Sequence, residues 1–143
     1  MNDRILIDSH IFIWYLYEPE NLSQPIKDAI LNAKERYIST ASIWELILKY
    51  KKSKLMYDPV DMLKSYKFAG LKLLNISEAH LNILLNIELP HKDPFDEILI
   101  AQATAESMSL LTADTLLIKS PYQTIDARVW NPEREAARVK YKC

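Results

Sequence analysis

Four acidic residues of this 143-residue chain stand at positions where carboxylates can do chemistry. Asp8 directly follows one short apolar run, and Asp114 follows another by one residue. Glu45 and Asp96 each fall in the first turn of a predicted helix. If the apolar runs are parallel strands, their carboxyl ends and the starts of the following helices share one edge of the sheet. The four carboxylates can therefore converge at that edge.

The chemistry of such a cluster is that of a divalent cation site. No lysine or arginine follows Asp8, Asp96 or Asp114 within three residues. Unpaired carboxylates a few ångström apart repel and raise each other's pKa, and a divalent cation removes that repulsion. His80 and His91 have no second histidine at metal-binding spacing, so we interpret both as structural. A ligand set of oxygens alone predicts Mg²⁺ or Mn²⁺ rather than zinc.

Each acid also has a structural interpretation. The spacing Ser42-x-x-Glu45 fits a helix capping box, and Glu45 could also pair with Lys49 four residues later. Asp93 is a typical N-cap residue, and Asp114 is typical of a turn. The joint placement of the acids favours a functional site, because independent helix caps have no reason to share one edge of a sheet.

Alternating strands and helices must position these acids. We predict strands at 4–7, 37–39, 71–76, 109–112 and 123–125. We predict helices at 9–17, 23–36, 42–53, 59–69, 77–86 and 93–107, with Gly70 closing the fourth. Strands separated by helices predict an α/β protein with a central parallel sheet.

Composition limits the function classes. The whole chain, 1–143, is expected to form one domain, with a core at about 4–126 and a polar tail at 131–143. Gly70 is the only glycine, which excludes the glycine-rich phosphate-binding loops. The net charge of −1 excludes binding to nucleic acid by bulk electrostatics. The one cysteine, Cys143, and the lack of a membrane-length apolar stretch favour a cytoplasmic protein.

Four segments resemble motifs of the PIN-domain family, specifically the toxin ribonucleases of VapBC toxin–antitoxin pairs. They are LIDSHIFIWYL from Leu6, STASIWELILK from Ser39, LPHKDPFDEILIAQA from Leu89 and LLTADTLL from Leu110. They resemble that family's first-Asp, Ser-x-x-Ser-x-x-Glu, Asp-Pro-Phe-Asp and Thr-x-Asp motifs, in the right order and over nearly the whole chain. The Asp-Pro-Phe-Asp motif is the most specific of the four.

This resemblance implies a PIN-like three-layer sandwich and a Mg²⁺- or Mn²⁺-dependent endoribonuclease that hydrolyses RNA phosphodiester bonds. It implies that the metal-binding and catalytic acids are Asp8, Glu45, Asp96 and Asp114, supported by Asp93, Ser9 and Thr112. Glu97 departs from the family, since close relatives often carry arginine there. The resemblance also implies a homodimer and a cognate antitoxin that covers the acidic groove. We expect part of the apolar segment 11–17 to be buried against one of these partners.

Two other functions remain open from the sequence. One is a phosphatase with Asp8 as its nucleophile, although the haloacid-dehalogenase pattern requires a second aspartate where this chain has His10. The other is a catalytically silent PIN-fold module that only binds a partner. The intact set of acids argues against the silent module.

Overall fold

A central parallel sheet organises the protein. The computed structural model describes residues 4–128, and in that part five strands pair in the order β3-β2-β1-β4-β5. The strands are β1 Arg4–Ile7, β2 Glu35–Ser39, β3 Lys72–Leu74, β4 Ser109–Thr112 and β5 Thr124–Asp126. Each neighbouring pair is parallel. The predicted α/β class is thereby confirmed.

Helices cover both faces of the sheet. They are α1 Ser9–Tyr17, α2 Gln24–Asn32, α3 Thr40–Lys51, α4 Pro59–Ser65, α5 Glu78–Leu84, α6 Pro94–Glu106 and α7 Thr115–Ile118, with a 3₁₀ turn at Pro19–Asn21. Successive side chains of β1 point to opposite faces. Ile5 and Ile7 enter the apolar core that includes α1, α2 and α3, whereas Leu6 enters the core that includes α6. The three-layer sandwich is therefore formed by two cores, one on each side of the sheet.

The register of the sheet brings the ends of three strands to one level. Ile7 pairs with Ile38 on β2 and with Leu111 on β4. The backbone N–H of Asp8 extends this ladder by donating to the carbonyl of Leu111 at 3.0 Å. The residues that follow these strands therefore leave the sheet side by side, as the sequence predicts for the acidic edge.

Several predicted boundaries were wrong. The second helix ends at Asn32 instead of continuing to 36, because the chain already extends as β2 from Glu35. The charge of Glu35 is paired with Arg4 at 3.0 Å and with Lys72 at 2.6 Å, both on neighbouring strands. Gly70 has a φ of +78° but closes a turn that follows α4, not the helix itself.

Another difference lies directly after β4. The predicted turn at Asp114 is instead the start of the short helix α7. The predicted polar tail at 131–143 lies outside the described residues.

None of the described helices combines the length and apolar character needed to cross a membrane.

Candidate metal centre

Asp8 is held between β1 and β4. It is only 5% exposed, and it is the N-cap residue of α1. Its Oδ1 accepts the backbone N–H of Ser9 at 2.7 Å, and its Oδ2 accepts the hydroxyl of Thr112 at 2.6 Å. Hydrogen bonds and the positive end of a helix offset the cost of burying a carboxylate. Ser9 and Thr112 thus fix the orientation of both Asp8 oxygens.

Asp96 lies in the first turn of α6, where Asp93 is the N-cap residue. Its Oδ2 is 2.9 Å from Nε2 of His91. Burial raises the pKa of Asp96 to about 7, and the hydrogen bond from His91 acts against this rise. The nearby charges of Asp93, Asp8 and Asp114 raise the pKa of Asp96 further. The metal-free structure therefore holds Asp96 where a negative charge is unfavourable.

Asp114 completes a group of converging side chains. It is the N-cap residue of α7, and its Oδ1 accepts the backbone N–H groups of Leu116 and Leu117 at 2.9 and 3.1 Å. Its own N–H donates to the Thr112 hydroxyl at 3.0 Å, the same hydroxyl that donates to Asp8. One potential ligand atom from each of His91, Asp96 and Asp114 lies within 4.8 Å of the other two.

Glu45 lies beside this group but not where the sequence placed it. Helix α3 begins at Thr40 with Ser39 as N-cap, so Glu45 is in the second turn and no capping box forms with Ser42. Its Oε1 accepts the hydroxyl of Ser9 at 2.9 Å, and its Oε2 lies 3.6 Å from Nζ of Lys49. The Ser9 hydroxyl thereby links Glu45 to the Asp8 end of the site, and the pairing with Lys49 that the i,i+4 spacing allows is also present.

Asp93 has the capping role that the sequence predicts. Its Oδ1 accepts the backbone N–H groups of Phe95 and Asp96, at 2.9 and 3.4 Å. Its charge acts on Asp96, but its contacts are those of a helix cap. This is the geometry of a residue that orients the first turn of α6 and, with it, Asp96.

A comparison with known families decides which family this chain belongs to. A PIN domain family model matches residues 5–120. The chain belongs to the PIN domain family. A search of curated protein sequences finds no significant match.

Solved structures share this PIN fold. The chain is similar to a chain of DNA-bound VapBC from Salmonella typhimurium, with 19% identity, coverage of 88% of this chain and 98% of that one, and a TM-score of 0.66. It is also similar to a chain of VapBC2 from Rickettsia felis, bound to a DNA fragment from its promoter. The identity is 14%, the match covers 86% of this chain and 97% of that one, and the TM-score is 0.62. For a toxin-antitoxin complex from Klebsiella pneumoniae the identity is 19%, the match covers 82% of this chain and 92% of that one, and the TM-score is 0.54. At such identities these likenesses show the fold.

The side chains of this PIN domain fit a divalent cation. Within residues 4–128, no lysine or arginine lies at ion-pair distance from Asp8, Asp96 or Asp114. In that part of the chain these carboxylates contact His91, the hydroxyl of Thr112 and backbone N–H groups at helix N-termini. Carboxylate oxygens with one imidazole nitrogen are donors that bind Mn²⁺ and related divalent ions.

His91 is the member of this group that the sequence analysis interpreted as structural. The loop before α6 has no periodic pattern from which its path could be predicted. The available signal was the position of His91 itself, two residues before the N-cap Asp93 and five before Asp96.

Proposed function

We propose that this PIN domain is a Mg²⁺- or Mn²⁺-dependent endoribonuclease and the toxin of a VapBC-type toxin–antitoxin pair. The observation that carries the proposal is the convergence of Asp96, Asp114 and the buried Asp8 without a basic counter-ion, at the carboxyl edge of the sheet. The biological role is supported by the similar structures, which are two VapBC complexes and a toxin-antitoxin complex.

The residues of the site would have different roles in phosphodiester hydrolysis. Asp8, Asp96 and Asp114 would hold the cation, which when bound polarises the scissile phosphate and lowers the pKa of a water. Thr112 keeps Asp8 in place through its hydroxyl. Glu45 is oriented by the hydrogen bond from Ser9 and serves as a further ligand or positions the attacking water.

A groove that is lined in part by Lys49, the ion-pair partner of Glu45, is our proposed antitoxin site. It has a volume of about 950 Å³ and is lined by residues of α1, α3 and the loop after α3, including Ile13, Leu46 and Met56. Most of the apolar character of 11–17 is already explained by the chain's own core, because Ile11 and Phe12 are fully buried in it. The partly apolar groove that remains suits an amphipathic partner segment.

We also propose a homodimer, as the resemblance to the toxins of VapBC pairs implies.

An assay with three substrates tests the proposed activity. End-labelled single-stranded RNA, DNA of the same sequence and p-nitrophenyl phosphate are each incubated with the protein in Mg²⁺, in Mn²⁺ and in EDTA, with Asp8→Asn as control. We expect internal cleavage of RNA that requires a divalent ion and is lost in Asp8→Asn. Release of p-nitrophenol without RNA cleavage would favour the phosphatase, and inactivity on all three substrates alongside antitoxin binding would favour the silent module.

Met56→Glu should weaken antitoxin binding without lowering RNA cleavage. Met56 is 82% exposed at the groove, so a charge there is expected to leave the fold intact. Burying that charge against a partner should cost at least about 1.4 kcal/mol, which is a tenfold loss of affinity. The measurement is a calorimetric titration of each variant with the protein that the neighbouring gene encodes. Leu85→Glu is the matched control, because Leu85 is 83% exposed and does not line the groove. If Met56→Glu lost no more antitoxin affinity than Leu85→Glu, the antitoxin would bind elsewhere.

A further inference from the structure

The loop before α6 places one imidazole against the acids. Nε2 of His91 lies 2.9 Å from Oδ2 of Asp96, and Asp114 completes a group whose potential ligand atoms are within 4.8 Å of one another. The His91 side chain is 19% exposed and that of Asp96 is 12% exposed, so the contact is largely withdrawn from water. This nitrogen therefore lies where the proposed cation would bind.

His80, the other histidine that we interpreted as structural from the sequence, shows what a structural histidine looks like in this fold. Its Nδ1 accepts the backbone N–H of Ser77 at 3.0 Å as part of a capping box at the start of α5. Its Nε2 lies 2.9 Å from Oε2 of Glu106. Both ring nitrogens of His80 are thus committed to structural hydrogen bonds, as the sequence analysis expected.

His91 is not committed in this way. Its only hydrogen bond among the described residues is the one to Asp96, and its Nδ1 is buried without a partner there. When Asp96 is ionised and no cation is bound, Nε2 carries the ring proton and donates a hydrogen bond to the carboxylate. Because Nδ1 accepts no hydrogen bond from the described residues, the tautomer with the proton on Nδ1 gives up only the hydrogen bond to Asp96. That tautomer turns the Nε2 lone pair toward the acids.

We propose that His91 is a nitrogen ligand of the metal centre and that it makes the centre prefer Mn²⁺ to Mg²⁺. This inference rests on the proposed function and deepens it. Mg²⁺ strongly prefers oxygen donors and keeps several waters, whereas first-row transition ions accept imidazole nitrogen readily. Exchanging one oxygen donor for nitrogen therefore costs Mg²⁺ more affinity than it costs Mn²⁺.

Electron spin echo spectroscopy of bound Mn²⁺ tests the inference without any substrate. The wild-type protein loaded with one equivalent of Mn²⁺ should show modulation from a directly coordinated ¹⁴N nucleus, and His91→Gln should lose it. His10→Gln is the matched control, because His10 is an exposed histidine in the same chain and should keep the signal. Competition titrations should show that His91→Gln lowers Mn²⁺ affinity by at least about 10-fold and Mg²⁺ affinity by a smaller factor.

The outcomes separate this inference from the proposed function. If wild-type protein binds Mn²⁺ with no ¹⁴N modulation, or if His91→Gln keeps the modulation, His91 is not a ligand, although the carboxylate centre would stand. Equal losses of Mn²⁺ and Mg²⁺ affinity in His91→Gln would overturn the claimed preference. If the wild-type protein binds no Mn²⁺ at millimolar concentration, both proposals fail together.

Discussion

Asp8→Asn, Asp96→Asn and Asp114→Asn are each expected to lower metal-dependent RNA cleavage by at least about 10²-fold. Asparagine keeps the shape of the side chain and removes the charge that would hold the cation. A bound metal contributes several kcal/mol of transition-state stabilisation, and each 1.4 kcal/mol is about a factor of ten in rate. The measurement is kcat/KM on a defined single-stranded RNA at saturating Mn²⁺ and fixed ionic strength.

Asp93→Asn is the matched control for these three variants. It removes a charge one helical turn away from Asp96 by the same substitution, but the contacts of Asp93 are with backbone N–H groups at the start of α6. Asparagine caps a helix about as well as aspartate. A measurable fraction of activity should therefore remain. If Asp93→Asn is as inactive as Asp96→Asn, the division between metal-holding and capping aspartates is wrong.

Asp96→Asn is expected to be at least as stable as the wild type in EDTA. The pKa of Asp96 is raised from 3.8 to about 7, mainly by burial. A carboxyl group whose folded-state pKa is raised binds its proton more tightly in the folded state, so metal-free stability falls as the pH rises from about 4 to 7. The cost at neutral pH is on the order of a few kcal/mol, and asparagine avoids it. Thermal melts of both proteins in EDTA across this pH range measure the difference.

Added Mg²⁺ or Mn²⁺ should make the wild type more stable than Asp96→Asn, because the ion binds only the folded state. At 100 times its dissociation constant the wild type gains about 2.7 kcal/mol, or roughly 5 to 11 °C in Tm for a chain of this size. Asp96→Asn should gain much less. The carboxylate cluster would lose its main support if the wild type shows no shift in millimolar metal while Asp96→Asn is destabilised in EDTA by more than about 1 kcal/mol. Asp96 would then be a structural residue of the helix start.

The elements that could be predicted best from the sequence are those in which one strong signal dominates. Strands β1 and β4 are apolar runs buried on both faces, and helix α1 begins directly after the capping residue Asp8, so their limits agree with the prediction. The boundary between α2 and β2 could not be predicted, because Glu35 and Arg36 are good helix formers that here lie in a strand. Their extended conformation depends on partners from β1 and β3 that are remote in sequence.

The same distinction applies to the site. The approach of Asp8, Asp96 and Asp114 follows from their positions after parallel strands and at helix starts, which the sequence pattern indicates. The turn of α3 that carries Glu45 depends on whether Ser39 or Ser42 caps the helix, and serine is a good cap at either position. The contact of His91 depends on the path of an irregular loop, which no periodicity describes.

Anomalous X-ray scattering from crystals grown with Mn²⁺ tests the central claim most directly. Our account predicts a manganese peak bounded by the carboxylates of Asp8, Asp96 and Asp114, and the disappearance of that peak from isomorphous crystals of Asp96→Asn. A site that stays empty at saturating Mn²⁺, or a peak that is bound elsewhere and is indifferent to Asp96→Asn, would contradict it.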